Sequence, residues 1–194
     1  MRGSMPPARR PSCPERVHLM KFLPVWIVLL CLVFEPASGA EACQSSLSPA
    51  SVNLGSATRA DLLQRTALDG RGPGFGLRSV HLRVHCPDVR LMRWAFVAPP
   101  ADPQRFRWAA GTLQLRIVAA RVDGAAVHWR LDSGQPVEGD FLRPGIHVVP
   151  WRADAGIQGS LLEVELELDA RVDDASSRPV DPVRFEGQGA FMVD

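Results

Sequence analysis

From Leu162 to Val172 the chain alternates without a break: Leu162, Val164, Leu166, Leu168, Ala170 and Val172 are apolar, and Glu163, Glu165, Glu167, Asp169 and Arg171 between them are charged. Successive side chains on a strand point to opposite faces, so this pattern predicts a strand with one buried and one wet face. A second alternation sets Val80, Leu82, Val84 and Cys86 against His81, Arg83 and His85, which turns Cys86 toward the core. A third sets Leu113, Leu115, Ile117 and Ala119 against Gln114, Arg116 and Val118, and a last one runs through Phe185, Gly187, Gly189, Phe191 and Val193. Shorter strand candidates are Ser51 to Leu54, Leu91 to Val97, Val127 to Leu131 and Ile146 to Trp151. Turn signals fall between them at Asp69-Gly70, Pro99-Pro100, Asp123-Gly124, Ser133-Gly134, Pro144-Gly145 and Asp181-Pro182. The one helical candidate, around Arg59 to Gln64, is about two turns long. Many short strands without an internal repeat predict an all-β protein built as a β-sandwich.

The N-terminal region follows another logic. Lys21 precedes an apolar run from Phe22 to Phe34, and Glu35-Pro36-Ala37-Ser38-Gly39-Ala40 follows it. Charge, apolar core and small-residue cleavage site in that order predict a secretory signal peptide. The run is too short for a spanning helix, which needs roughly 20 residues, so no membrane span is expected in the mature chain. Residues 1–40 are therefore expected to be a leader, with the core signal at 20–40 because Met20 could itself start it, and residues 41–194 a single domain. Cleavage after Ala40 leaves Glu41 at the new N-terminus, and cleavage after Ala42 leaves Cys43. A lipoprotein reading of Cys43 stays open, although a lipobox wants Leu and a small residue where Ala40 and Glu41 stand.

The leader carries five of the 22 basic and two of the 21 acidic residues, so the remainder has a charge of −2. That is no electrostatic footprint for nucleic acid. Export also sets the cysteine chemistry. Cys13 and Cys31 lie in the leader, and Cys43 and Cys86 remain as the one pair in an oxidising compartment, which predicts a disulfide between them. A Cys/His metal site using His81 or His85 lacks paired-ligand spacing. The two histidines share a strand face but lie about 13 Å apart, too far to share an ion.

Candidate chemistry is otherwise sparse. Glu163, Glu165 and Glu167 repeat at roughly 6 to 7 Å along a strand, a carboxylate spacing that glycosidases use, yet a regularly charged outer face is the commoner meaning. The stretch Gly70-Arg71-Gly72-Pro73-Gly74-Phe75-Gly76 lacks the Lys-Ser/Thr that a phosphate loop requires and reads as a flexible loop. No Gly-x-Ser-x-Gly elbow occurs, and no catalytic residue, metal or cofactor is predicted. Trp94, Trp108, Trp129 and Trp151, with Phe106 and Phe141, are bulky enough to fill a sandwich core. Trp108 and Trp129, flanked by Arg105, Arg107 and Arg130, are the pair expected to be exposed and available for surface binding.

Several of these segments, in order, resemble the pilin-type subunits of chaperone-usher fimbriae. A cysteine soon after the signal leads an extended segment, Cys43 to Gly55, then come a leucine pair at Leu62 and Leu63 and a strand ending in the second cysteine, Val80 to Pro87. The C-terminal hairpin expected from Leu161 to Val172 followed by Val183 to Val193 is similar as well. The resemblance implies an immunoglobulin-like sandwich lacking its last strand, completed in the periplasm by a pilus chaperone, passed to an outer-membrane usher and completed in the fibre by a neighbouring subunit. It implies a non-enzymatic, adhesive or structural role at the cell surface, with a host or surface receptor as a further partner. By the same resemblance the groove awaiting a strand is bordered by Phe185, Phe191 and Val193. With only Glu41 and Ala42 left ahead of Cys43, such a subunit would accept a strand without donating one, which places it at the fibre tip. A spore-coat-U-like secreted domain is similar in the same segments. The alternative from the residues alone is a self-complete secreted or periplasmic binding domain that does not polymerise.

Overall fold

The computed structural model describes residues 42–65, 67–68 and 72–194. The leader, the cleavage site and the Asp69-Gly70-Arg71 stretch lie outside the described residues. In chain order the strands are β1 (Gln44–Ser48), β2 (Gly74–Leu91), β3 (Trp94–Val97), β4 (Phe106–Trp108), β5 (Gly111–Val122), β6 (Ala125–Ala126) and β7 (His128–Leu131). They continue with β8 (Phe141–Leu142), β9 (Val148–Arg152), β10 (Ala155–Gly156), β11 (Gln158–Val172) and β12 (Ala190–Val193). The single α-helix among the described residues, α1, spans Arg59–Gln64, the bounds its sequence suggests.

Two antiparallel sheets form the expected β-sandwich. One runs β1-β2-β11-β5-β4, with β6 and β8 also on β5; the other runs β10-β9-β3-β12, with β7 on β9. Leu82, Val84, Leu115, Leu162 and Leu166 of the first sheet and Trp94, Phe96, Trp129 and Val148 of the second share one core. Phe106 of β4 and Phe96 of β3 join the layers edge to face, with centroids 4.9 Å apart.

The alternation at 162–167 is seen directly: Leu162, Val164 and Leu166 are buried, and the glutamates between them lie on the outer face. Basic residues on the neighbouring strands stand beside two of the carboxylates. Glu163 is in register with Arg83 and Arg121, and Glu167 with Arg116. Arg116 hydrogen-bonds Glu167, and Arg83 Nε lies 3.9 Å from Glu163. Cross-strand charge pairing thus accounts for the glutamate row as the wet face of a strand.

Two bulges correct the periodic reading. Between β11 and β5 the register steps from Glu165↔Ala119 to Leu166↔Ile117, so Val118 is the extra residue. Beyond it Ala120 and Val122 are buried and Ala119, expected in the core, is exposed, because one added residue swaps the faces. A second irregularity lies between Asp169 and Arg171 on the β2 side, and both charges, expected on the wet face, are buried there beneath Leu68, Gly72 and Gly74. Asp169 Oδ2 accepts from Arg171 Nε at 3.0 Å and from the backbone N–H of Leu68 at 2.9 Å, so burial comes with hydrogen-bonded pairing.

Other boundaries shift. Ser51 to Leu54 belongs to neither sheet, Leu91 to Val97 divides at Met92-Arg93 into the end of β2 and β3, and the paired part of the C-terminal segment is Ala190–Val193. The two C-terminal segments do not form a hairpin: β11 lies in the first sheet and β12 in the second. The connection between them crosses the sandwich.

That crossing is tied to α1. Thr58 caps the helix in a reciprocal box with Asp61. Arg59 then reaches the Asp174 carboxylate and, at 3.1 Å, the Ser177 hydroxyl, both just beyond β11.

Candidate functional site

The C-terminal strand β12 lies at one edge of the second sheet. β12 takes all its ladder partners on one side, from β3, in the register Ala190↔Val97, Phe191↔Phe96, Met192↔Ala95 and Val193↔Trp94. Arg93 and Asp194 close the ladder with reciprocal backbone hydrogen bonds of 3.1 and 2.8 Å. The Arg93 guanidinium also bonds Asp132 and the Asp194 carboxylate, and these partners, Asp132 first, raise its already high pKa. Among the described residues no strand pairs the other edge of β12.

Its inward side chains are only partly covered. Phe191 and Val193 pack on the core but remain half-buried, where their strand partners Phe96 and Trp94 are buried. Phe191 lies 5.1 Å from Phe96 and 5.9 Å from Trp94, centroid to centroid. Phe185, ahead of the paired segment, is also half-buried and meets Trp108 at 6.1 Å and Phe75 at 6.3 Å. Phe185, Phe191 and Val193 therefore lie along one apolar border, and Met192 on the opposite face is 48% exposed.

Between Phe185 and Phe191 the chain runs directly over aromatic rings. A Cβ on Gly187 would fall 2.0 Å from Cδ1 of Trp108, and one on Gly189 would fall 2.1 Å from Cζ of Phe96. Only glycine permits this approach. The Gly187 and Gly189 positions in the sequence alternation thus serve to bring backbone onto rings.

A second extended segment accompanies it. After β1 the chain leaves the first sheet, and Val52, Leu54 and Ala57 pack half-buried on the core while Ser51, Asn53 and Gly55 face solvent. Its amide at Gly55 donates to the Asn53 side chain at 2.8 Å, not to a strand. The alternation at Ser51 to Leu54 thus reports the correct faces without the ladder.

The disulfide holds the start of this region. Cys43 and Cys86 are bonded, joining the residue before β1 to the inner face of β2, and Cys86 is buried. His81 and His85 are exposed on the opposite face of β2. Among the described residues no group of three or more His, Cys, Asp or Glu side chains is placed to hold a metal, and no helix is long and apolar enough to cross a membrane.

The expected exposure of Trp108 and Trp129 is corrected. Trp108 is 8% and Trp129 7% exposed. Trp108 packs edge-on against Phe75 at 5.6 Å, and Trp129 against Trp94 at 5.3 Å. Their arginine neighbours gave the wrong cue because adjacent residues on a strand face opposite ways: Arg107 points out where Trp108 points in. Trp151, which the sequence did not single out from the other rings, is the half-buried one, with the Arg130 guanidinium 5.5 Å from its ring centre.

The fold is similar to that in the crystal structure of the P pilus rod subunit PapA, with a TM-score of 0.45 and 10% sequence identity over 84% of this chain and 96% of that one. No protein-family model matches the sequence, and no curated protein matches it.

Proposed function

We propose that this chain is an exported, non-enzymatic fimbrial subunit whose sandwich is completed by a strand from another chain. The observation that carries the reading is the edge of β12, paired on one side only, with Phe191 and Val193 half-buried beneath it. An edge that no strand pairs, beside an apolar border, is suited to strand addition: main-chain hydrogen bonds give affinity, and alternate side chains fill the border. The extended Ser51–Gly55 segment, which also packs apolar residues on the core without a ladder, supports it. So does the sequence resemblance to chaperone-usher subunits, from which a periplasmic chaperone, an usher and a neighbouring subunit follow as partners. A chain cleaved after Ala40 would accept a strand and have none to give, hence the tip position.

A second reading, a self-complete secreted domain, is favoured by one observation. The Phe185–Gly189 stretch already lies on Trp108 and Phe96 and covers part of the core by itself.

Periplasmic expression without partners separates the two. The fimbrial reading expects a poorly soluble chain that a synthetic alternating apolar peptide rescues, with a higher melting temperature. A monomer that melts cooperatively alone and ignores the peptide would mean a complete domain.

A further inference from the structure

Between β11 and β12 the chain has one stretch that neither sheet holds. Every residue from Arg178 to Arg184 is exposed, with Val180 at 99% and the Arg184 side chain at 88%. Among the described residues, no backbone group from Pro179 to Glu186 bonds another. Pro179 and Pro182 have no N–H to give a ladder, which suits the stretch to lie outside both sheets. Both flanks, by contrast, are fastened. On the near side the Asp174 carboxylate accepts from Arg59 and Arg178, and the Ser177 hydroxyl accepts from Arg59. On the far side Phe185 packs on Trp108 and Phe75, Gly187 and Gly189 lie on rings, and β12 ends in the bonds between Arg93 and Asp194.

Backbone that is exposed and free of hydrogen bonds is where a protease can draw the chain into its cleft. The side chain at the centre of the stretch sets the class of protease. Arg184 projects into solvent, and its ion pair is with Glu186, inside the same exposed segment. A trypsin-class endopeptidase hydrolyses the bond after such an arginine, because a carboxylate at the base of its specificity pocket receives the guanidinium. The other described arginines are poorer substrates. Arg143 and Arg178 precede proline, which blocks hydrolysis. Arg93 and Arg105 carry backbone hydrogen bonds, Arg65 donates to the Phe75 carbonyl, and the rest stand in α1 or in strands. Lys21, the chain's one lysine, precedes the described residues.

We propose that the Arg184–Phe185 peptide bond is a processing site for an endopeptidase of the trypsin class, and that the cut turns the C-terminal strand into a separable piece. The oxygen of water joins Arg184 as a carboxylate, and its two protons go to the nitrogen of Phe185 as the C–N bond breaks. Residues 185–194 then stay on β3 by the β12 ladder and the ring contacts, without a covalent link. A tether holds a strand at an effective concentration on the order of mM, and once it is cut the occupancy of the β3 edge depends on concentration. The site thereby decides whether β3 keeps its own strand or can exchange it. The proposal does not rest on the fimbrial reading, because it concerns a strand that the chain itself carries.

The test is limited digestion of the full chain, exported and purified from an oxidising periplasm, with trypsin at a low ratio, followed by intact mass and native size-exclusion chromatography. The first cut is expected after Arg184, with residues 185–194 co-eluting with the body. Arg184→Gln should slow loss of the intact chain at least roughly tenfold. A heat-unfolded sample should be cut at many arginines at once, which ties the selectivity to the fold. Asp194→Ala removes the side-chain tie to Arg93 and leaves Arg93 its bond to Asp132, so it should be cut at the same bond but release the peptide on dilution. A first cut after another arginine, an undiminished rate in Arg184→Gln, or a folded chain that resists trypsin for as long as the unfolded one takes to degrade would each overturn the processing site. Immediate loss of the peptide from the nicked wild type would overturn the docked strand.

Discussion

The β2–β11–β5 centre of the first sheet and the β3–β12 edge of the second are made of similar strand residues, yet they reach opposite ends of completeness. At the centre, β11 is paired on both sides along most of its length, and Leu162 and Leu166 are 0% exposed. At the edge, β12 is paired on one side for four residues, and Phe191 and Val193 stay half-buried. An inward-facing apolar residue is therefore covered less on an edge strand than on a strand flanked on both sides. β12, like β1 and β10, is an edge strand whose outer backbone groups face away from any strand of its sheet.

The contrast can be broken or sharpened by experiment, and the largest effect belongs to the bond that anchors the β1–β2 side. Replacing both Cys43 and Cys86 by Ser opens a loop spanning 43 residues and should lower unfolding stability by about 4 kcal/mol in denaturant melts, on the loop-entropy account. At the sheet centre, Leu166→Ala should cost about 3 kcal/mol, because the site is enclosed on all sides and the cavity cannot collapse fully. Gly189→Ala forces the backbone off the Phe96 ring and should cost about 2 kcal/mol, within the range for overpacking.

Phe191→Ala sharpens the comparison most directly. In the chain alone it should cost about 1 kcal/mol, since a half-buried ring forfeits only part of its transfer energy. With a complementing peptide bound the same change should cost more, and an equal cost in both states would mean that nothing is added at this edge.

The smallest effect is one of pH, at α1. Hydrogen bonding from the Thr58 side chain holds the Asp61 carboxyl below its ordinary value of 3.8, and Arg59 does the same for Asp174. A depressed carboxyl pKa contributes stability that is present above the unfolded value and lost as pH falls through the lowered folded value. The helix should therefore loosen below about pH 4 before the sheets do, a change that amide exchange at Leu62 and Leu63 would detect. Loss at both places together would count against a separate local unit.

Much of the fold was legible along the chain because strand burial is local arithmetic. The alternations at 80–86, at 113–117 and at 162–167 set which side chains face inward, and the helical candidate around Arg59 to Gln64 coincides with α1. The arithmetic failed where a bulge added a residue. Nothing at Val118 or Ala119 announces the slip, which arises because β5 must match the register of β11. It failed again at Trp108 and Trp129, where neighbouring arginines suggested exposure that a strand's alternating faces contradict.

The C-terminal border shows the same division. Phe185, Phe191 and Val193 could be placed on one face from their spacing alone, and glycines at 187 and 189 could be seen to interrupt the bulky pattern. That those glycines lie against Trp108 and Phe96, that β11 and β12 part into different sheets, and that β12 has an open edge depend on contacts between residues far apart in the chain. The sequence by itself determined the faces of the strands, the short helix and the cysteine pair, because each depends on residues a few positions apart or on the count of a single residue type. Only the tertiary structure decided which strands lie at an edge and which charges are buried in pairs, because pairing is a property of neighbours in space.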